Sequence, residues 1–358
     1  MKAVGVFPGE RAVRIVEHPE PEIAAPDEAL VRVLEVGACG TDREICDFQF
    51  GEPPAGAPYL VLGHEGLGEV RKVGPGVKGL RPGDLVVPMV RLPCDVPSCG
   101  PCRRERQDFC LTDTFPEHGI RRAHGFMTEA VVDREKYLVP VPRALRDVAV
   151  LVEPLTIAEK AIFQVVDVQK RLPAPPGKKA VVLGAGPVGL LGAMAFLVRG
   201  YETFVFARSP GDTPNARLAA AIGATYVSGS QTDFDGLARR LGSIDLIYEA
   251  AGAVKPAFEL LERLGTNGVC VLTGVPGLAP VSVDVERIMR NVVLKNQAVV
   301  GTVNAGRDAF EAAIRDLEVF QKRWPDALRG LITGRFRLDD YRRLLLDKPG
   351  GIKSIFAL

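Results

Sequence analysis

Two periods of apolar and polar residues run along this chain, and the change from one to the other falls near residue 156. Before it, apolar residues come in short bursts. "ALVRVLEV" (29–36) alternates in part, "GLGEVRKVG" (66–74) more weakly, and "RPGDLVVPMV" (81–90) is a turn feeding an apolar run. Pro and Gly punctuate these bursts, which predicts short strands of a barrel or sandwich. From 156 to about 175, "LTIAEKAIFQVVDVQK" has helical spacing and is followed by the Pro-rich "RLPAPPGKK". Next, "AVVLGAGPVGLLGAMAFLVRG" reads as a buried strand, a glycine turn and a helix. "ETFVFARS" (202–209), "IDLIYEAAG" (244–252), "GVCVLTG" (268–274) and "QAVVGTVN" (297–304) add short apolar strands with helix-like segments between several of them. That alternation predicts a parallel, doubly wound sheet. Beyond 305, "RDAFEAAIRDLEVFQKRW" is amphipathic, and "GGIKSIFAL" is expected to return as a strand to the first domain. The predicted organisation is a β-rich domain over 1–155, a doubly wound domain over 156–304, and a C-terminal segment, 305–358, that rejoins the first.

A length of 358 residues favours two domains over a single core. The chain is 47% hydrophobic and 25% charged with a net charge of +1. That balance gives no global electrostatic reason to bind nucleic acid or an anionic membrane. No apolar run reaches the roughly 18 residues that would span a bilayer. The opening "MKAVGVFPGERAVRIVEHPE" meets charge too early for a secretory signal, so a cytoplasmic location is expected. In a reducing compartment, clustered cysteines point to metal rather than to disulfides.

Four of the seven cysteines lie in "CDVPSCGPCRRERQDFC", as Cys94, Cys99, Cys102 and Cys110. Four thiolates suffice for a closed tetrahedral zinc site, which has no open position and cannot activate a substrate. A C-x-x-C redox pair at 99–102 leaves Cys94 and Cys110 unexplained, and nothing else in the chain suggests an iron–sulfur centre. The basic run Arg103-Arg104-Glu105-Arg106 reads as a solvated face, and Cys46 and Cys270 as core residues. A second constellation is more dispersed: Cys39 in "VGACGTDREI", His64 and Glu65 in "LGHEGLG", and Glu153 in "LVEPLT". A thiolate, an imidazole and one or two carboxylates make a catalytic zinc shell with a position left for water or substrate.

Gly184-Ala185-Gly186-Pro187-Val188-Gly189 fits G-x-G-x-x-G between a predicted strand and a helix, the context required of a dinucleotide site. Gly184 permits the turn, Gly186 lets backbone N–H groups approach a pyrophosphate, and Gly189 allows close helix–strand packing. The next strand ends in Ala207-Arg208-Ser209, where an NAD site would carry a carboxylate. Arg208 suits a 2′-phosphate, with Ser209 as an added hydrogen-bond partner, which favours NADP and leaves additional use of NAD open.

"GACGTDREI", "VLGHEGLGEV", "GDLVVP", the cysteine cluster, "GAGPVG" and "EAAGA" occur in the order seen in zinc-dependent medium-chain alcohol dehydrogenases, which the chain resembles over essentially its whole length. Within that superfamily it is most similar to the archaeal-type glucose 1-dehydrogenases. That likeness rests on "CGTDREI" with Glu44, "QDFCLTDTFPEHGIRRAHGFMTE", "KYLVPVP" followed by "EPL", "VQKRLP" and "VVGTVN". The resemblance implies an α/β plus β fold: a Rossmann doubly wound domain joined to a GroES-like β-barrel catalytic domain. It implies a catalytic zinc on Cys39 and His64, with Glu65 as ligand or swinging carboxylate and Glu153 touching metal directly or through water and facing substrate. It makes Cys94, Cys99, Cys102 and Cys110 the structural zinc ligands, with Cys94 set one longer gap away than the superfamily usually has. Thr41 would hydrogen-bond the reacting oxygen, and Glu117 and Asn304 would bind sugar hydroxyls. Pro187, Val188, Ala250 and Val303 would line the nucleotide, and the assembly would be a homotetramer or homodimer.

The chain departs from the pattern at Val90, where related enzymes can have Asn, and at Ile157, where they can have a substrate-contacting Asp. Losing two hydroxyl partners weakens the case for glucose itself and leaves other aldoses, polyols or secondary alcohols in play. Two further readings are a zinc-free quinone reductase of the same superfamily and a zinc-ribbon protein that binds RNA or another partner. Cys39, His64 and Glu65 speak against the first; near-neutral charge and the glycine turn speak against the second.

Overall fold

A computed structural model describes residues 1–174, 176–277, 279–347 and 350–358, so Pro175 of the Pro-rich stretch lies outside the described residues. The chain divides into two compact units: Met1–Thr156 with Asn304–Gln321 and Ile332–Leu358, and Ile157–Val303 with Lys322–Leu331. The sequence reading put all of 305–358 with the first domain. Lys322–Leu331 belongs instead to the second, where the helix Pro325–Gly330 packs on the helix Pro214–Ala221 and Leu328 and Leu331 are fully buried.

The first unit is built from β-strands. Its larger sheet has seven strands, six of them in the order Leu138–Val141, Leu85–Pro88, Glu65–Val73, Glu28–Gly37, Lys353–Ala357 and Ile332–Phe336. The seventh, Ala130–Arg134, shares the ten-residue strand Glu28–Gly37 with Lys353–Ala357: Ala29 faces Asp133 near one end, and Glu35 faces Ala357 near the other. A second sheet holds Ala12–Glu17, Lys2–Phe7 and Leu60–Val61. The barrel expected from the short apolar bursts thus takes the form of these two sheets. Val36, Leu60, Leu62, Phe126, Met127 and Phe356 form a core cluster between elements far apart in sequence. Fully burying such side chains contributes roughly 1.5–3 kcal/mol each, and Phe356 brings that contribution to Lys353–Ala357, the strand that returns to pair with Glu28–Gly37.

The second unit contains a six-stranded sheet: β1 (Lys179–Leu183), β2 (Glu202–Ala207), β3 (Thr225–Ser228), β4 (Leu246–Glu249), β5 (Val269–Leu272) and β6 (Ala298–Gly301). All pairings are parallel and the order is β3-β2-β1-β4-β5-β6, with the direction of winding reversing between β1 and β4. Strand β3 escaped the sequence reading because "TYVS" is four residues with no apolar run. The reversal matters for function, because ligands of such sheets bind outside the carboxyl ends of the strands at that point.

Candidate metal and nucleotide sites

Cys39, His64 and Glu65 each offer a ligand atom, and these atoms lie within 4.8 Å of one another. Three local features bring them together. Cys39 precedes the helix Gly40–Cys46, and its backbone N–H donates to Asp42 Oδ2 at 2.8 Å, so the helix start fixes the thiol's position. His64 and Glu65 enter the strand Glu65–Val73, both buried. Gly37, opposite Glu65 in the ladder, leaves room for the carboxylate; a Cβ there would run into Glu65 Oε2.

Two residues behind the cluster were missed in the sequence. Asp42, fully buried, accepts from Gly63 N at 3.3 Å and stands 3.4 Å from His64 Nδ1. A carboxylate behind an imidazole is the usual support of a metal-ligating histidine. Lys353 forms an ion pair with Glu65 and donates to the Ala38 carbonyl at 3.1 Å. Neither residue carries a motif signal, because each matters only through partners brought together by folding. Burial opposes charge on His64, but Asp42 and Cys39 outweigh it and hold its pKa well above the ordinary value. Burial likewise opposes the charge on Lys353, and Glu65 with Cys39 and Glu153 more than offsets it.

Glu153 lies in the first turn of the helix Val152–Gln169, 8% exposed, and stands outside the Cys39–His64–Glu65 trio. Burial pushes its carboxyl up to about 7, with His64 and Lys353 pulling down and Glu65 and Asp42 pushing up. Thr41 is half-buried in the helix Gly40–Cys46. Asn304 Nδ2 donates to Glu117 Oε1 at 2.9 Å, so the two residues expected to bind hydroxyls form one pair. Arg91, also missed in the sequence, is buried against the same carboxylate. Val90 is buried.

The four remaining candidate ligands form a second group, Cys94, Cys99, Cys102 and Cys110, with sulfurs within 4.8 Å of one another. Cys94 Sγ lies 3.6 Å from Cys102 Sγ, and Cys99 Sγ 3.9 Å from Cys110 Sγ. Zinc–sulfur bonds of about 2.3 Å in a tetrahedron put sulfurs about 3.8 Å apart, so the set fits zinc and the longer gap after Cys94 does not exclude that residue. The dispersed trio fits zinc as well, by its sulfur, nitrogen and oxygen donors and the carboxylate behind the imidazole.

In the nucleotide unit, Gly184 adopts φ +113, a conformation that favours glycine, at the end of β1. Gly186 caps the helix Pro187–Val198, and a Cβ on it would meet nothing within 4 Å. Open space therefore faces a helix N-terminus, a fit for a pyrophosphate. Gly189 packs against the Gly184 carbonyl, too closely for a side chain. Asn215, not anticipated, donates to the Ala185 carbonyl at 2.6 Å and steadies the turn. At the end of β4, the buried Glu249 carboxylate accepts from Ala251 N at 2.8 Å and Gly274 N at 3.1 Å, tying the Ala250 loop to the one after β5. Arg208 and Ser209 are exposed just past β2, and the Ser209 carbonyl accepts from Tyr226 and Ser228. Val303 is 53% exposed, and its carbonyl accepts from Lys160 Nζ at 3.0 Å.

No helix of the described residues is long and apolar enough to cross a membrane. Residues 25–143 match the alcohol dehydrogenase GroES-like domain family, and residues 146–358 match the glucose dehydrogenase C-terminus family. The chain is 40% identical over 360 residues to a glucose 1-dehydrogenase of Methanocella arvoryzae, covering 100% of this chain and 99% of the relative. It is 42% identical over 367 residues to one of Thermoproteus tenax, with the same coverage. Its structure superposes on Haloferax mediterranei glucose dehydrogenase in complex with NADP, Zn and gluconolactone with a TM-score of 0.91 at 35% identity, covering 100% of this chain and 99% of that one. The chain belongs to the zinc-type medium-chain alcohol dehydrogenase superfamily, in its archaeal glucose dehydrogenase-like branch.

Proposed function

We propose that this chain is a zinc-dependent, NADP-preferring dehydrogenase that oxidises an aldose at C1 to the lactone, with glucose as the leading substrate. The observation that carries this reading is the convergence of Cys39, His64 and Glu65 in a chain that also holds an open glycine turn. The relatives named above as glucose 1-dehydrogenases, and the neighbour holding NADP, Zn and gluconolactone, support it. Cys39, His64 and Glu65, with Glu153 directly or through water, would hold the catalytic zinc, and the four-cysteine loop the structural one. Zinc supplies Lewis acidity toward the C1 hydroxyl and NADP supplies the hydride acceptor.

The protein's own residues then have defined tasks. Thr41 hydrogen-bonds the reacting hydroxyl and passes its proton outward. Glu117 and Asn304 hold sugar hydroxyls, Gly184, Gly186 and Gly189 with Pro187 and Val188 receive the pyrophosphate, and Arg208 with Ser209 receives the 2′-phosphate. Ala250 and Val303 flank the cofactor. Apolar Val90 and Ile157 favour a second reading, a related polyol or secondary alcohol dehydrogenase, because neither can hydrogen-bond a hydroxyl. A panel of aldoses and polyols assayed with NADP and NAD, with zinc counted per chain, tests both. Aldose turnover with NADP and two zinc ions supports the first reading; turnover of simple secondary alcohols alone supports the second.

A homo-oligomer is part of the proposal. The helix Val285–Leu294 has no buried residue, and Val285, Met289, Val293 and Leu294 are each 65–68% exposed. An uncovered apolar stripe of this kind favours a second copy. A dimer or tetramer by light scattering, converted to monomer by Met289→Glu, is the expected outcome.

A further inference from the structure

Glu117 and Asn304 are 187 residues apart in sequence, yet Asn304 Nδ2 donates to Glu117 Oε1 at 2.9 Å. Arg91 Nε donates to the same oxygen at 3.0 Å, and Arg91 Nη2 also lies 3.0 Å from it. Three nitrogens therefore converge on Oε1, and no group among the described residues donates to Oε2. The side chains of Arg91 and Glu117 are 8% and 12% exposed, so bulk water does little to loosen the pair. The guanidinium lies 3.7 Å from the centre of the Phe115 ring, which holds its plane. The backbones of Arg91 and Glu117 form an antiparallel bridge. Glu117 is fixed again by Glu117 N donating to Arg121 O at 2.6 Å and Arg121 N donating to Glu117 O at 2.9 Å.

Hydrogen-bond capacity then decides what the pair offers. A carboxylate has about four acceptor sites, and the donors here crowd onto one oxygen. Asn304 commits its Oδ1 to Ala305 N at 2.7 Å and one amide hydrogen to Glu117, which leaves one donor. One acceptor beside one donor is the complement of a hydroxyl group.

We propose that Arg91 is a positioning residue that holds Glu117 Oε1, so that Oε2 and the remaining amide hydrogen of Asn304 are presented together to a substrate hydroxyl. A ligand carbon bearing only hydrogen leaves both groups unsatisfied, and sites built around a hydroxyl reject such analogues strongly. Val90, next to Arg91, is apolar and contributes no hydroxyl partner, so discrimination falls on this pair. The inference rests on the aldose reading and adds to it the residue that sets substrate selectivity.

The test compares wild type with Arg91→Met on glucose and on glucose lacking the hydroxyl at C2, C3, C4 or C6, with NADP in excess. NADP affinity by fluorescence titration serves as the control for folding. The wild type is expected to reject at least one analogue by about a hundredfold or more in kcat/KM. R91M is expected to shrink that ratio by about tenfold or more, chiefly by raising KM for glucose, with NADP affinity unchanged. Arg91→Lys keeps the charge without the fork and is expected to fall between. The inference is overturned if wild type accepts every analogue as well as glucose, or if R91M keeps the wild-type ratio. Should R91M fail to fold, an unchanged ratio in R91K overturns it by the same criterion. Absence of turnover with glucose and every analogue in wild type overturns the aldose reading instead, which keeps the two failures distinct.

Discussion

The four-cysteine loop and the Cys39–His64–Glu65 cluster use related ligand chemistry on opposite kinds of support. The loop draws every candidate ligand from residues 94–110 and places them with short turns, such as Cys99 N to Val96 O and Arg103 N to Cys99 O. The dispersed cluster takes its candidate ligands from a helix start and a strand, and leans on Asp42 and, across the ladder, on Lys353. Four sulfurs close a coordination shell, whereas a sulfur, a nitrogen and a carboxylate leave it open. The compact site therefore suits holding a loop together, and the dispersed one suits chemistry.

The hardest blow to this contrast would come from Cys39→Ala or His64→Ala. Either is expected to lower turnover at least about a thousandfold, several kcal/mol of barrier, while NADP affinity by fluorescence stays near wild type. Activity retained in a metal-free C39A protein would remove the assignment of the dispersed cluster. Lys353→Met comes next. It removes the buried ammonium paired with Glu65 and is expected to cost the zinc-free protein about 3 kcal/mol of stability, read by denaturant unfolding. Cys94→Ser or Cys110→Ser should lower stability by about 1–3 kcal/mol and the zinc count by one, with kcat per folded molecule little changed. Equal loss of kcat would mean that the loop takes part in chemistry after all.

The smallest effect belongs to neither cluster and separates metal loss from simple acid lability. Val61 N donates to His124 Nδ1 at 3.1 Å, and burial, with His18 and His118 nearby, pulls the His124 pKa down to about 4. Because the unfolded chain takes up that proton near pH 6.5, stability contributed by neutral His124 is present above that pH and lost as pH falls toward 4. Partial exposure keeps the loss to about 1 kcal/mol. His124→Asn, which keeps an acceptor for Val61, should flatten the acid limb of a stability–pH curve over that window while leaving zinc content unchanged.

What could be read from the sequence divides along the same line as the two clusters. The glycine turn, the cysteine loop and five of the six parallel strands, all but Thr225–Ser228, were visible because their signals lie within one short stretch of chain. Cys39, His64 and Glu65 were visible as residue types, and their order along the chain carried the resemblance. Asp42, Lys353, Arg91 and Asn215 were not, because an aspartate, a lysine, an arginine or an asparagine is ordinarily solvated, and only the folded partner gives each a task. The segment Lys322–Leu331 went to the wrong unit for a similar reason: its buried Leu328 and Leu331 do not announce which core they join.

The place of Lys353 in the ladder has a consequence for how the protein is made. Lys353–Ala357 is the latest strand in the chain, and it pairs with Glu28–Gly37, among the earliest. During synthesis the four-cysteine loop can capture its metal long before this strand emerges. The dispersed cluster is completed later: until residue 353 has emerged, Glu65 lacks its ammonium partner and the Glu35–Gly37 end of the long strand lacks the neighbour Lys353–Ala357. A chain truncated before residue 353 would hold its cysteine loop closed and its dispersed cluster unfinished, so it should bind one zinc where the full chain binds two.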